Sequence, residues 1–239
     1  ISTAEIKSFV GRTYTTDQMV FSSIGNFSAK SAQAVAERYL SDFQPTKREY
    51  QRIVPAVYEA FDKRISRHTH QSHGIIGTRG YGITDERRLP LALLVNILGG
   101  PSANSLLNLL LREKYGLSYN VEASYTPYSD SGIVGIYFSS DHANTEQCIE
   151  LIEEEIARLR GGLITPRRLQ VAKRQFVAQM AISMESNEGY MLGAGKSFLL
   201  YKDIDTLEEA YKKVMAITAE QIMEVAKDSF ANLSRLIYK

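Results

Sequence analysis

The stretch ILGGPSANSLLNLLLREKYGLSYNVEASY, residues 97–125, decides how this chain is read. Gly99–Gly100 ends an apolar helix that begins in DERRLPLALLVN, since glycine readily takes helix-closing backbone angles. SANSLLNLLLREK reads as a second helix, Gly116 as the turn after it, and the residues from Leu117 as a strand. Arg112 then falls near the C-terminal end of the helix and Tyr119 early in the strand. A guanidinium and a phenol seven residues apart, across a helix-to-strand corner, can both project from the end of a sheet. Arginine offers a planar fork of donors to carbonyls or a carboxylate. Tyrosine offers a hydroxyl that can hydrogen-bond an oxyanion. From these residues alone a plainer alternative stands beside that one: Arg112 as a surface helix residue and Tyr119 as a half-buried strand aromatic.

The pattern extends outward in both directions. Residues 116–141 read as two antiparallel strands around a turn near Pro127 to Gly132. TEQCIELIEEEIARLRGG is an amphipathic helix stopped by Gly161–Gly162, and the helix TPRRLQVAKRQFVAQMAISMES starts with Thr165 as cap and Pro166 at its first position. Shorter helices follow around DTLEEAYKKV and TAEQIMEVAKDSF, and SRLIYK closes as a strand. Upstream, RISRHTHQSHGIIGTRGYGI (64–83) reads as one long strand. Near the start, Ser2 precedes Glu5 at capping-box spacing, so a helix follows. QMVFSSIG reads as a strand closed by Gly25, SAKSAQAVAERYLSDF as a helix, and the polar stretch between Pro45 and Pro55 as a linker. The expected fold is α+β: a two-layer sandwich with a mostly antiparallel sheet, from strands near 66–82, 117–126, 132–140 and 233–238, and helices packed on one face.

An internal echo bears on domain organisation. TAEIKSFVGRTYTTDQMVFSSIG, from Thr3, resembles TAEQIMEVAKDSFANLSRLIYK, from Thr218. Each is a capped helix, an aromatic, a polar turn and an apolar strand. A chance succession of helix and strand would look the same. Read as a repeat of domain endings, it makes residues 1–45 the end of an upstream domain of the same fold (helix, strand, helix), 46–62 a linker and 63–239 a complete C-terminal domain. The first residue is Ile1 rather than Met, which suggests a piece of a longer protein.

Composition excludes several classes. The 239 residues are 44% hydrophobic and 23% charged, ordinary for a chain that buries a core. The net charge of +1 predicts no nucleic-acid partner. The single cysteine, Cys148, rules out an intrachain disulfide and a cysteine-based zinc knuckle. The longest apolar run, Leu89 to Leu98, is interrupted by Asn96 and too short to span a bilayer. A soluble protein of cytoplasm or periplasm, without a membrane partner, is expected.

HTHQSHG, residues 68–74, holds three of the four histidines and has the look of a metal cluster. Strand geometry argues against it: His68 and His70 share one face and His73 takes the other. Ser72 stands where an H-x-H-x-D-H metallohydrolase motif needs Asp, and only His142 remains elsewhere. The expectation is a polar strand with no native metal site, in which His68 and His70 bind metal adventitiously. An autonomous histidine-cluster metallohydrolase is the reading this disfavours.

The run from Ile97 to Tyr125 resembles the corresponding LREK-containing segment of the pitrilysin/insulinase family of zinc metallopeptidases, which includes mitochondrial processing peptidase. YTTDQMVFSSIGNFS, ITPRRLQVAKRQFVAQM and ITAEQIMEVAKDSF resemble further family segments, in order along nearly the whole chain. The resemblance implies a LuxS/processing-peptidase-like metallopeptidase fold repeated within each half of the enzyme, and zinc bound on H-x-x-E-H plus a later Glu. This chain has no H-x-x-E-H, so it carries no cofactor of its own and is inactive alone by that mechanism. Zinc is expected in the full-length enzyme or a partner. The resemblance also implies that Arg112 and Tyr119, within LREKYGLSY, hold the substrate peptide, with Tyr119 donating in trans to the tetrahedral intermediate. One departure stands out: GGPSANSLL lacks the family's usual Arg, and Asn104 occupies a normally basic stretch. The implied partners are a peptide or unfolded polypeptide substrate and a second, zinc-bearing subunit, in a homodimer or heterodimer. A bacterial-type peptidase part is the leading expectation, and a non-catalytic partner or scaffold subunit the alternative.

Overall fold

The structure is a computed structural model describing residues 1–49, 53, 55–67 and 69–239. Its contacts group into two units: Ile1–Ile53 with Ala178–Ala210, and Val54–Val177 with Tyr211–Lys239.

The larger unit is the α+β sandwich. Five strands, β1 (Asp62–Ile65), β2 (Ser72–Gly80), β3 (Ser118–Pro127), β4 (Gly132–Ser140) and β5 (Ser234–Tyr238), form one sheet in the order β1-β5-β2-β4-β3. All neighbours are antiparallel except β1 and β5. Helices α3 (Arg88–Gly99), α4 (Thr145–Gly161) and α8 (Ala219–Ser229) pack together on the core side. Period-two alternation decides which side chains face them: Ile76 and Ile136 are paired across β2 and β4, and both are buried. They join Phe138, Ile237, Leu94, Leu98, Ile152, Val225 and Phe230 in one apolar core. Each such side chain contributes roughly 1.5–3 kcal/mol on burial. Buried Lys173 of α5 (Pro166–Glu185) donates from Nζ to Met215 O, 2.9 Å away, in the last turn of α7 (Leu207–Ala216). Burial lowers its pKa, while the carbonyl partner suits a cation at a helix C-terminus.

Several local expectations change. The long strand over 64–83 is two strands. β1 pairs in parallel with one edge of β5 and β2 antiparallel with the other, so the two strands run in opposite directions on either side of β5. HTHQSHG therefore enters the sheet only at Ser72, and His68 lies outside the described residues. β1 itself begins inside the expected linker. The glycine pair at the end of α3 serves close approach rather than a left-handed cap. Gly100 has φ −62°, and a Cβ on Gly99 would lie 2.7 Å from Ala123 of β3.

The smaller unit contains α1 (Thr3–Thr13), α2 (Ala29–Leu40) and α6 (Asn187–Tyr201). The Ser2–Glu5 capping box of α1 is formed. The predicted strand QMVFSSIG forms no ladder: Gln18 ends a 3₁₀ turn, Thr16–Gln18, and residues 19–25 lie outside any strand. Its β-forming side chains have no strand beside them among the described residues, and a strand exists only as a pair. The sequence offered little signal for α6, whose glycines at 189, 193 and 195 and scattered apolar residues blur the helical period.

Candidate functional site

The helix predicted over SANSLLNLLLREK runs from Leu106, and Asn108–Lys114 is wound as a π-helix. Such widened turns are rare and recur at functional sites. Its end is tightly held: Tyr115 N–H reaches Leu110 O at 3.2 Å, Gly116 N–H reaches Arg112 O at 3.2 Å, and Leu117 N–H reaches Leu111 O at 2.8 Å. Gly116, at φ +62°, lets the chain turn out of the helix, a backbone conformation that costs other residues a clash at Cβ. Two residues later β3 begins.

β3 is an edge strand, and its first residues are irregular. Ser118 pairs with Ser140 and Asn120 with Ser139, so Tyr119 has no residue opposite it. It is the extra residue of a β-bulge, a device that re-aims a side chain and is common beside active sites. The Ser118 hydroxyl lies 2.7 Å from Ser139 O and 2.9 Å from Asn120 O and donates to these carbonyls, holding the bulge in place. Tyr119 is 81% exposed, not half-buried, and its hydroxyl has no hydrogen-bond partner among the described residues. Arg112, in the last turn of the π-helix, is also exposed, and its Nε is 3.5 Å from Glu113 Oε1. That surface pair holds little energy and leaves most of the guanidinium's donors available. Asn104, at the position where the family resemblance led one to look for a basic residue, is occupied: it exchanges two amide hydrogen bonds of 3.1 Å with Gln175.

The described histidines, His70, His73 and His142, are separate rather than convergent. His73 Nδ1 bonds the Tyr137 hydroxyl at 2.8 Å. His142 Nε2 is 2.9 Å from Thr69 O, a carbonyl that can only accept, so the proton of the neutral ring sits on Nε2 and Nδ1 accepts from Ser72 Oγ at 2.8 Å. His70 is exposed in the bend before β2. Among the described residues no group of three His, Cys, Asp or Glu could hold a metal ion. The donor set of the described residues therefore does not fit a zinc ion. No helix among the described residues is long and apolar enough to cross a membrane.

One polar cluster carried no recognisable pattern in the sequence, because Asp228 lies 141 residues beyond Arg87 and 147 beyond Tyr81. Tyr81, following β2, donates its hydroxyl to Asp228 Oδ2 of α8 at 2.7 Å. Arg87 lies 4.1 Å over the Tyr81 ring and bonds Asp228 at 3.0 Å and Asp85 at 2.8 Å. Burial, with the Asp228 hydrogen bond second, pushes the Tyr81 phenol up to about 12.

Comparison with known proteins agrees with this architecture. The family model described as "Peptidase M16 inactive domain" matches residues 1–176. An uncharacterized zinc protease of Bacillus subtilis, YmxG, is 31% identical over 219 residues, 91% of this chain and 52% of that protein. An uncharacterized zinc protease of Rickettsia bellii is 28% identical over 228 residues, 94% of this chain and 54% of that protein. The chain thus spans about half the length of these relatives. The crystal structure of a peptidase M16 inactive domain from Pseudomonas fluorescens superposes with a TM-score of 0.88 over 100% of this chain and 57% of that one, at 22% identity. With that fold and a family model matched over most of its length, the chain belongs to the peptidase M16 family, in the part described as its inactive domain.

Proposed function

We propose that this chain is the C-terminal, substrate-binding part of a zinc-dependent peptidase whose metal is held by another domain or subunit. The observation that carries the reading is the bulged, exposed, unpartnered Tyr119 at the start of an edge strand, seven residues after an exposed Arg112. Tyr119 donates its proton toward the oxygen that gains negative charge when a peptide carbonyl is attacked. Arg112 holds backbone carbonyls of the bound peptide. The free edge of β3 supplies main-chain donors and acceptors to an extended substrate, which adds to the sheet as a further strand. The zinc-bearing partner is a second copy or a sister subunit, and residues 1–45 complete an upstream domain of the same fold.

The test uses the full-length protein with any sister subunit. Tyr119→Phe is expected to lower kcat about 10²-fold, the usual consequence of losing one oxyanion donor. Arg112→Ala is expected to raise KM. Unchanged hydrolysis in both variants would remove the site assignment.

A second reading rests on one specific fact, the absence of H-x-x-E-H from all 239 residues. In it the chain is a non-catalytic partner or scaffold of a processing-peptidase-like complex. The upstream sequence separates the two: H-x-x-E-H there makes the full chain a peptidase. Its absence, with a sister subunit whose activity depends on this chain, makes it a helper.

A further inference from the structure

Behind the π-helix lies a second feature. A recess of about 240 Å³ has Leu106 and Leu110 in its lining and Lys114, Arg158 and Arg168 around it. Leu106, Leu110 and Lys114 are four residues apart, close to one turn of a π-helix, so they share a side. Arg112, two residues from both Leu110 and Lys114, faces away from that side. The recess is thus distinct from the Arg112–Tyr119 corner.

Its charge is unbalanced. Glu155, the acid in the lining, is taken by Arg158 through bonds of 2.5 and 3.0 Å. Lys114 sits 4.8 Å from the Tyr115 ring centroid, and neither it nor Arg168 has a carboxylate partner among the described residues. Arg168 belongs to the first turn of α5, which contains no acid. A cation there meets the positive end of the helix dipole, so it adds to the local potential instead of offsetting it. Two uncompensated cations above a leucine-lined floor complement an anion attached to an apolar group.

We propose that this recess binds an acidic residue flanked by a leucine-like side chain in the substrate polypeptide, and so selects substrates away from the scissile bond. The carboxylate sits between Lys114 and Arg168, and the apolar neighbour lies on Leu106 and Leu110. This rests on the peptidase reading above.

The test uses the full-length protein with its zinc-bearing partner and fluorescent peptides in which a Glu-Leu or Gln-Leu pair is moved along an otherwise neutral sequence. At the preferred position the Glu-Leu peptide is expected to have a KM about fivefold lower at similar kcat, the scale of two exposed ion pairs. The advantage shrinks with added salt. It disappears in the Lys114→Gln/Arg168→Gln double variant and returns in part with Arg168→Lys. Fluorescence anisotropy of the same peptides reads binding without cleavage. If the protein cleaves neither peptide yet binds Glu-Leu more tightly, the peptidase reading fails and the recess stands. If the wild type treats the two peptides alike at every position, or the double variant keeps the preference, the recess proposal is overturned.

Discussion

Helices α1 and α8 are the same local structure in two settings. Both carry a full capping box, Ser2 with Glu5 and Thr218 with Gln221. Aligned on those caps, one residue away from the register suggested by the shared Thr-Ala-Glu, their apolar faces correspond. Ile6 matches Ile222, Phe9 matches Val225, Val10 matches Ala226 and Tyr14 matches Phe230. Yet Ile6 is 53% exposed and Ile222 1%, while Tyr14 is 60% exposed and Phe230 1%. The segments that follow differ in the same way. Ser234–Tyr238 is β5, paired on both edges, whereas residues 18–22 join no ladder. A cap and a period of 3.6 suffice to make a helix. Burying its face needs a sheet built from distant residues.

That difference yields its largest measurable effect in the aromatic position. Phe230→Ala is expected to destabilise the larger unit by about 3–5 kcal/mol, since a buried ring leaves a cavity. Tyr14→Ala in this chain is expected to change stability by less than about 0.5 kcal/mol. Urea denaturation measures both. In a chain extended upstream, a costly Tyr14→Ala would show that α1 gains the partner it lacks here, and a neutral one would break the parallel with α8.

An intermediate effect concerns the anchor that α8 has through Asp228. Native Tyr81 keeps its proton up to about pH 12, while an unfolded tyrosine releases it near 10. Between these values the folded state binds more protons, so stability is fully present below pH 10 and falls as pH rises toward 12. A loss of about 1–2 kcal/mol, after allowance for solvent screening, is expected. Urea titrations at pH 9 and pH 11 should show it in the wild type and not in Tyr81→Phe. An unchanged slope in the variant would remove Tyr81 as its source.

The smallest effect should be equal in the two regions. Ser2→Ala and Thr218→Ala each remove one cap, worth about 1 kcal/mol of local helix stability. Hydrogen exchange in the first turn of each helix reads this locally. Similar protection losses would confirm that the two helices differ only in what covers them.

The same division between local and distant runs through the fold and the site. The helices with clear periods or caps, and the β3–β4 hairpin, were legible because turn residues and alternation are written in neighbouring positions. The break between β1 and β2 was not, because it follows from both strands flanking β5, some 160 residues later. Helix α6 was missed for want of a period. At the site, spacing alone put Arg112 and Tyr119 on either side of a helix-to-strand corner, but by itself favoured Tyr119 as a half-buried strand aromatic. The π-helix was invisible, since i→i−4 and i→i−5 bonding serve the same residues. So was the bulge, which exists only as a mismatch between Ser118–Asn120 and Ser139–Ser140.

By itself, then, the sequence determined where the capped helices α1 and α8 start, which of their faces are apolar, and that a guanidinium and a phenol flank Gly116. Those properties depend on backbone sterics, caps and side-chain periodicity over a few residues. Only the tertiary structure decided which apolar face is covered, that His73 and His142 bond Tyr137 and Ser72 instead of converging, and that Tyr119 stands free at a sheet edge. Those depend on pairing and packing between residues far apart in the chain, where the energy of burial and of ladder hydrogen bonds resides.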